Sequence, residues 1–361
     1  MALSNSLGLA VRWRQWRNRV IASRRFQAWA ARTPLVRRIA RRRAGAMFDR
    51  VAGFTYSQVL LAAVESGLID QLAGGPVEER RLVPTLGSDA RRTLLRASAA
   101  LDLAEQVAPG WWMLGNDGAV LHADAGIQAM IRHHPLLYAD LADPLALLAD
   151  DRRSPTALSR YWHYARDQAD ADADRYSALM AASQAMVAAQ VIAAYRFDRH
   201  DALLDVGGGH GVFLGAVGNA FPSLRRGLFD LPAVIAGAGD ARVATHPGDF
   251  FADPLPRGYD LVSLVRILHD HDDEPAAKLL RNIRAAMAPG SMLLIAEPMA
   301  GVRGAEAMAD AYFGLYLWAM RSGRPRRPEE IGAMLDDAGF ARWKRVATNQ
   351  PVITSLIVAT K

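Results

Sequence analysis

Apolar positions along the chain change their period near residue 200. From Ala44 to about His134 they recur at intervals of three and four, the spacing of one helical face. Phe54, Val59, Leu60, Ala63 and Val64 describe one such buried stripe. Residues 106–114 break the pattern and read as a short hairpin around Pro109-Gly110. Asp89 stands before Ala90-Arg-Arg-Thr-Leu-Leu and is the expected N-cap of a helix. Helices followed by a small hairpin predict a winged-helix-like module, and residues 138–194 are again helical, rich in Ala and Leu.

After Asp201 apolar runs at 202–206, 226–230, 260–267, 291–297 and 352–360 predict strands that alternate with helices. The clearest helix has Asp272 or Asp273 as its cap, Pro275 in its first turn and Gly290 as its stop. Ala276, Leu279, Leu280, Ile283 and Met287 form its apolar stripe. The predicted class is α/β: a C-terminal doubly wound, Rossmann-like, mostly parallel sheet preceded by a mostly helical domain. The expected division is an arm at 1–43, a helical domain at 44–185 and a sheet domain at 186–361.

Composition changes this picture in two places. None of the 361 residues is cysteine, which excludes disulfides, thiolate metal sites and cysteine nucleophiles and fits a cytoplasmic protein. No apolar run approaches the ~20 residues that span a bilayer, and arginines interrupt any secretory signal. The net charge of +6 is uneven: the first 48 residues hold twelve arginines and no acidic residue. Between 11 and 43 these arginines interleave with Trp13, Trp16, Phe26 and Trp29. A basic helix carrying aromatics suits an anionic membrane surface. Packing on a partner subunit and contact with nucleic acid are the alternatives at this point.

The chemistry concentrates at strand ends. Asp205-Val-Gly-Gly-Gly-His-Gly211 ends a strand on a carboxylate and opens a helix through Gly207, Gly209 and Gly211, leaving bare backbone for a nucleotide-like ligand. Asp230 closes the next strand, where a carboxylate can take ribose hydroxyls; Asp249-Phe250 follows the third, offering one acceptor and one apolar ring. His269 follows the fourth and is a candidate general base. His269, Asp270, His271, Asp272 and Asp273 include possible metal ligands, but carboxylates opening a helix are expected as caps and dipole partners, so no metal is expected. Glu297 reads either as the partner that fixes the imidazole tautomer or as a structural carboxylate bonding loop amides.

Together, 205–211, Phe229-Asp-Leu-Pro-Ala-Val234, Gly248-Asp-Phe250, Leu268-His-Asp270 and Ala296-Glu-Pro298 resemble the S-adenosylmethionine-dependent O-methyltransferases of the plant caffeate and bacterial polyketide type. The resemblance covers most of the chain and implies a homodimer built on the helical domain. It implies His269 as base, Glu297 as its partner, and a cofactor held by Asp205, Gly207, Gly209, Gly211, Asp230, Leu231, Asp249, Phe250 and Arg266. Within the family, segments such as Val51-Ala-Gly-Phe-Thr-Tyr-Ser-Gln and Val265-Arg-Ile-Leu-His-Asp-His-Asp-Asp resemble the branch that methylates the tertiary hydroxyl of a 1-hydroxycarotenoid.

Two departures stand out. Plant members have a second glutamate where this chain has Pro325, and a lysine where it has Val265. An apolar acceptor needs a long dry channel, for which Met180, Ser183, Met186, Met299, Met308, Tyr312, Tyr316 and Met320 are candidates; methionine adapts to irregular apolar ligands. The helix-spaced set at 308, 312, 316 and 320 is more often the pattern of plain core or of a dimer interface. The membrane arm acquires a motive, since such an acceptor resides in lipid. The alternatives are methylation of an aromatic polyketide or other pigment, and a winged-helix regulator that senses the same cofactor. Asp89, Asp102 and Glu105 oppose phosphate contacts, so no nucleic-acid partner is expected.

Overall fold

The computed structural model describes residues 8–161, 171–237 and 239–361, with side chains described outside 171–182. It divides into two compact units, 1–118 and 119–361. In the first, α1 (Leu9–Ala22), α2 (Arg24–Arg32) and α3 (Pro34–Glu65) follow one another almost without a break. Ser23 and Thr33 stand at the caps between them, and Pro34 begins α3 where its missing N–H costs nothing. Residue 43 therefore lies inside a helix of 32 residues.

After α4 (Leu68–Leu72) and β1 (Val77–Glu78) comes α5 (Ser88–Ala100), then the hairpin of β2 (Ala104–Ala108) and β3 (Trp111–Leu114). The hairpin turns at Gly110 as expected, and the antiparallel order β1-β3-β2 makes the small wing. Trp112 anchors it, buried and donating from Nε1 to Glu79 at 3.1 Å.

Two expectations in this unit fail. Gly87, not Asp89, caps α5, and Asp89 sits exposed in its first turn. The α3 stripe is buried only at its end: Ala63 and Val64 are inside, Val59 and Leu60 half-buried, but Phe54 is 74% exposed. Helical spacing identifies a face, not what covers it.

The second unit begins with α6 (Asn116–Ala123), whose first residues close the first unit, and continues through α7 (Ala125–Asp140), α8 (Pro144–Ala149) and α9 (Ala171–Ala194). Then follow β4 (Ala202–Val206), α10 (Val212–Ala220), β5 (Arg225–Asp230), α11 (Pro232–Ile235), β6 (Val243–Pro247), β7 (Leu261–Val265), α12 (Asp273–Ala286) and β8 (Met292–Glu297). A π-helical segment (Ala307–Phe313) runs into α13 (Gly314–Met320), followed by α14 (Pro328–Asp337), β9 (Arg342–Val346) and β10 (Ser355–Thr360).

The sheet order is β6-β5-β4-β7-β8-β10-β9. The first five strands are parallel, while β10 lies antiparallel between β8 and β9. Every residue of β4 and β7 is buried, as strands covered on both faces require. One face packs on Ala276, Leu279, Leu280 and Ile283 of α12 and Ile331 and Leu335 of α14. The other packs on Val187, Ala188 and Val191 of α9 and Phe213, Leu214 and Val217 of α10. The doubly wound expectation holds.

The sequence pattern overran some ends. The strand expected over 260–267 stops at Val265, and that expected from 352 starts at Ser355. α12 stops at Ala286 with Met287 as its cap, so Gly290 (φ +83°) shapes the turn into β8 rather than ending the helix. Strand β9, with exposed Arg342, Lys344 and Arg345, was absent from the pattern because edge strands of this kind carry charge in place of apolar alternation.

Candidate active site

The sheet reverses its order at β4, with β5 on one side and β7 on the other, which opens a crevice outside their carboxyl ends. Gly207, Gly209 and Gly211 fill the turn after β4 with φ of +73°, +61° and +79°, values that side-chain-bearing residues adopt only under strain. A Cβ on Gly207 would lie 2.7 Å from Ile267 Cδ1 and 3.5 Å from the Phe250 ring, so this turn meets the loops after β7 and β6. Asp230 ties it to β5: one carboxylate oxygen accepts Gly209 N–H at 2.8 Å and the other accepts Leu231 N–H at 2.7 Å.

Asp205 is wholly buried and accepts a 2.6 Å hydrogen bond from the Ser263 hydroxyl. Its other oxygen has no hydrogen-bond partner among the described residues. Burial, helped by the charge of Asp230 and opposed by the Ser263 bond, pushes its carboxyl up to about 7. A buried acceptor of this kind suits a cationic ligand group, and the glycine turn suits a nucleotide. The residues therefore fit S-adenosylmethionine. Asp249 turns the β6 loop by accepting Phe251 N–H at 2.8 Å, and the Asn282 side chain of α12 donates to Phe250 O at 3.0 Å. The Phe250 ring meets Phe251 edge-on at 4.7 Å.

After β7 the chain turns sharply. Arg266 takes φ +60°, a left-handed conformation that costs roughly 1–2 kcal/mol for a residue with a Cβ. Its amide donates to Ala296 O at 2.9 Å and its guanidinium to Ser183 Oγ at 2.7 Å, which hold it there. A single 3₁₀ turn, Leu268–Asp270, then presents His269.

His269 is buried, its Nε2 lies 3.0 Å from Asp270 Oδ1, and its Nδ1 has no hydrogen-bond partner among the described residues. Asp270 thereby selects the tautomer with the proton on Nε2. Glu297, also buried, accepts the backbone N–H of His269 at 3.1 Å. Of the two sequence readings of Glu297, the geometry is that of the carboxylate bonding a loop amide; the imidazole's hydrogen-bonded partner is Asp270. Burial, the largest influence, pulls the imidazole down, but Asp270 and then Glu297 outweigh it and its net pKa is raised above 6.5. Burial pushes Asp270 up, yet the charge and hydrogen bond of His269 leave it below the usual carboxylate range.

The departures from the plant pattern also have a place. Glu330 accepts Arg327 N–H at 2.8 Å in a capping box and pairs with Arg324 at 2.8 Å, while Glu329 is exposed. Neither makes a hydrogen bond to His269 among the described residues. Val265 is core. Asp272 pairs with Arg152, and Asp273 with Arg324 and Arg326.

Among the expected pocket residues, Tyr312 lies on the π-helical segment; beside it Phe313, not anticipated from the sequence, places its ring 5.8 Å from His269. Tyr316 and Met320 pack with Leu137, Leu147, Leu158 and Leu317, and Met299 is core. Met186 and Met308 are half-buried, and the Met180 side chain lies outside the described residues. Sequence reasoning missed His133 and His134 of α7, which hydrogen-bond Tyr316 Oη and Tyr312 Oη, each at 2.9 Å. Burial and the neighbouring His134 lower His133 to about 4, so it is neutral at pH 7; burial lowers His134 too and pushes Tyr312 up to about 12. A belt of uncharged rings thus runs from α7 to the turn that carries His269.

A doubly wound sheet with an antiparallel strand inserted near one edge, a glycine turn at its switch point and a buried histidine beside it defines a nucleotide-cofactor enzyme of the group-transfer class. Residues 138–341 match the profile of the O-methyltransferase domain. The chain is 41% identical to the demethylspheroidene O-methyltransferase of Rhodobacter capsulatus, over 95% of this chain and 88% of that one. It is 39% identical to the enzyme of the same name from Cereibacter sphaeroides, over 95% and 94%. The solved SAH-bound methyltransferase of calicheamicin biosynthesis superposes with a TM-score of 0.76 at 25% identity, over 88% of this chain and 98% of that one. The chain belongs to the S-adenosylmethionine-dependent O-methyltransferase family, and it is an O-methyltransferase.

Proposed function

We propose that the chain methylates the tertiary hydroxyl of a 1-hydroxycarotenoid, with His269 as general base. The observation that carries the chemistry is the buried His269–Asp270 pair, whose Nε2 is engaged and whose Nδ1 is left to take a proton. The acceptor class follows from the 41% and 39% identity to demethylspheroidene O-methyltransferases and from the uncharged ring belt. S-adenosylmethionine supplies an electrophilic methyl group when bound. Asp205, the 207–211 turn, Asp230, Leu231, Asp249, Phe250 and Arg266 are the residues proposed to hold it. The protein aligns donor and acceptor and excludes water. A tertiary alcohol is too weak an acid for an imidazole to ionise beforehand, so proton removal accompanies methyl transfer. Incubation with methyl-labelled donor and a panel of 1-hydroxycarotenoids and phenols tests this: label in the carotenoid methyl ether is expected, and label only in a phenol product overturns it.

We further propose that the basic N-terminal helices dock on anionic lipid, where an acceptor of this class resides. Trp13, Trp16 and Trp29 are each more than half exposed among the arginines. No helix among the described residues is long and apolar enough to cross a membrane. Because α3 begins at Pro34, removal of residues 1–33 takes α1 and α2 cleanly. That deletion is expected to cut sedimentation with phosphatidylserine vesicles at least tenfold at low salt, and wild-type binding after it rejects the idea. A homodimer is proposed to cover Met47, Phe48, Val51 and Phe54, exposed on α3; sedimentation equilibrium at the 39.3 kDa monomer mass would refute it.

A further inference from the structure

The turn that carries His269 has its carbonyls captured one after another by a segment some fifty residues later. Leu268 O accepts Arg326 Nη1 at 2.8 Å, and His269 O accepts the backbone N–H of Arg324 at 2.9 Å. Asp270 O accepts the Ser322 hydroxyl at 2.6 Å, and His271 O accepts Arg326 Nη2 at 2.7 Å. Four successive carbonyls thus accept hydrogen bonds from residues 322–326.

Gly323 makes the approach possible. A Cβ there would lie 1.9 Å from His269 O, and its φ is +75°. Arg326 is 1% exposed, and its charge is met by Asp273, 3.0 Å from its Nε. A buried guanidinium is costly to desolvate, and a stability role alone is better met by an apolar side chain. The planar fork supplies what an apolar residue cannot: two donors fixed relative to each other, reaching carbonyls three residues apart.

We propose that residues 322–326 form a splint that sets the angle of the His269–Asp270 pair, with Arg326 and Ser322 as positioning residues for methyl transfer. The splint acts through the carbonyls of the turn, while the Glu297 carboxylate holds its amide at His269. Together they fix the turn by its donor and its acceptors. This reading rests on His269 as the reacting histidine.

The test compares Arg326→Ala, Arg326→Lys, Ser322→Ala and His269→Ala with wild type, for turnover with labelled donor, donor affinity by calorimetry, and melting temperature. Arg326→Ala is expected to lose about 100-fold in kcat, since displacement by about 1 Å costs that much. Donor Kd should stay within about threefold, and tens of millimolar guanidinium should restore about a tenth of the lost rate. Arg326→Lys should recover only part, because an ammonium cannot span both carbonyls in the fork geometry. Ser322→Ala removes one bond and should lower kcat about fivefold with an unchanged melting temperature, which keeps the test valid if Arg326→Ala fails to fold. NMR of ring-labelled histidine gives a readout apart from turnover: the His269 midpoint should fall in Ser322→Ala and Arg326→Lys as its hold on Asp270 loosens. Wild-type kcat and an unmoved midpoint in these two variants overturn the splint. Retained turnover in His269→Ala overturns the base instead.

Discussion

His269→Ala is expected to lower kcat by about 10²–10⁴ while S-adenosylmethionine still binds, the range by which a positioned general base contributes. That is roughly 3–5 kcal/mol of barrier. The substitution leaves the glycine turn and Asp230 in place, so donor affinity measured by calorimetry should remain within about threefold. Turnover near the wild-type rate with donor bound would remove His269 from the chemistry. Its pH dependence carries a sign. The base works as neutral imidazole, and Asp270 and Glu297 raise its pKa despite burial. The acid limb of the rate profile should therefore lie above the 6.5 of a free histidine, with activity rising as pH increases through it. Protonation of the same group stabilises the fold, fully below about 6.5 and progressively less as pH rises through the folded-state value. Conditions that favour stability and those that favour turnover thus diverge on the acid side.

Gly208→Ala is the second large effect expected. A Cβ there would sit 2.3 Å from Asp205 Oδ2 and 2.7 Å from Leu228 Cδ1. Leu228 is fully buried, and Asp205 cannot retreat because Ser263 holds its other oxygen inside the sheet. The turn must move instead, loosening the Gly209 amide from Asp230. Overpacking of this kind costs about 1–3 kcal/mol, which predicts a donor Kd raised about 5- to 150-fold if the strain falls on the binding loop. Gly215→Ala in α10 is the matched control: its Cβ meets nothing within 4 Å, and it should leave affinity unchanged. Equal affinity in both variants would show that the turn does not form the donor site.

Much of this site was legible in the sequence because its parts are local. The glycine turn is contiguous, and β4, β7 and β8 are apolar runs, so the order of Asp205, Asp230, Asp249 and His269 on successive strand ends could be read directly. The partner of His269 was not legible. Adjacent side chains seldom face each other in regular structure, and only the 3₁₀ turn after the left-handed Arg266 brings the imidazole and Asp270 to 3.0 Å. Nor does any pattern connect Arg326 to Leu268, since both contacts are made to backbone carbonyls, which carry no sequence signature. His133 and His134 stayed hidden for a related reason: two polar residues on a helix look solvated until tyrosines from a distant helix reach them. The exposure of Phe54 is the reverse lesson, a helical stripe that the chain's own core leaves uncovered.

The wide turn at Ala307–Phe313 has a consequence for comparing relatives. A π turn closes over five residues where an α turn closes over four, so it absorbs one extra residue without disturbing the helices on either side. A relative that crosses this stretch as ordinary α-helix would be one residue shorter, and its numbering would slip by one against this chain from that turn onward. Tyr312 would then be equated with a neighbour that points about 100° away. Transfer of acceptor preferences along this helix has to follow the superposed backbone, because counting residues assigns the wrong side chains to the pocket.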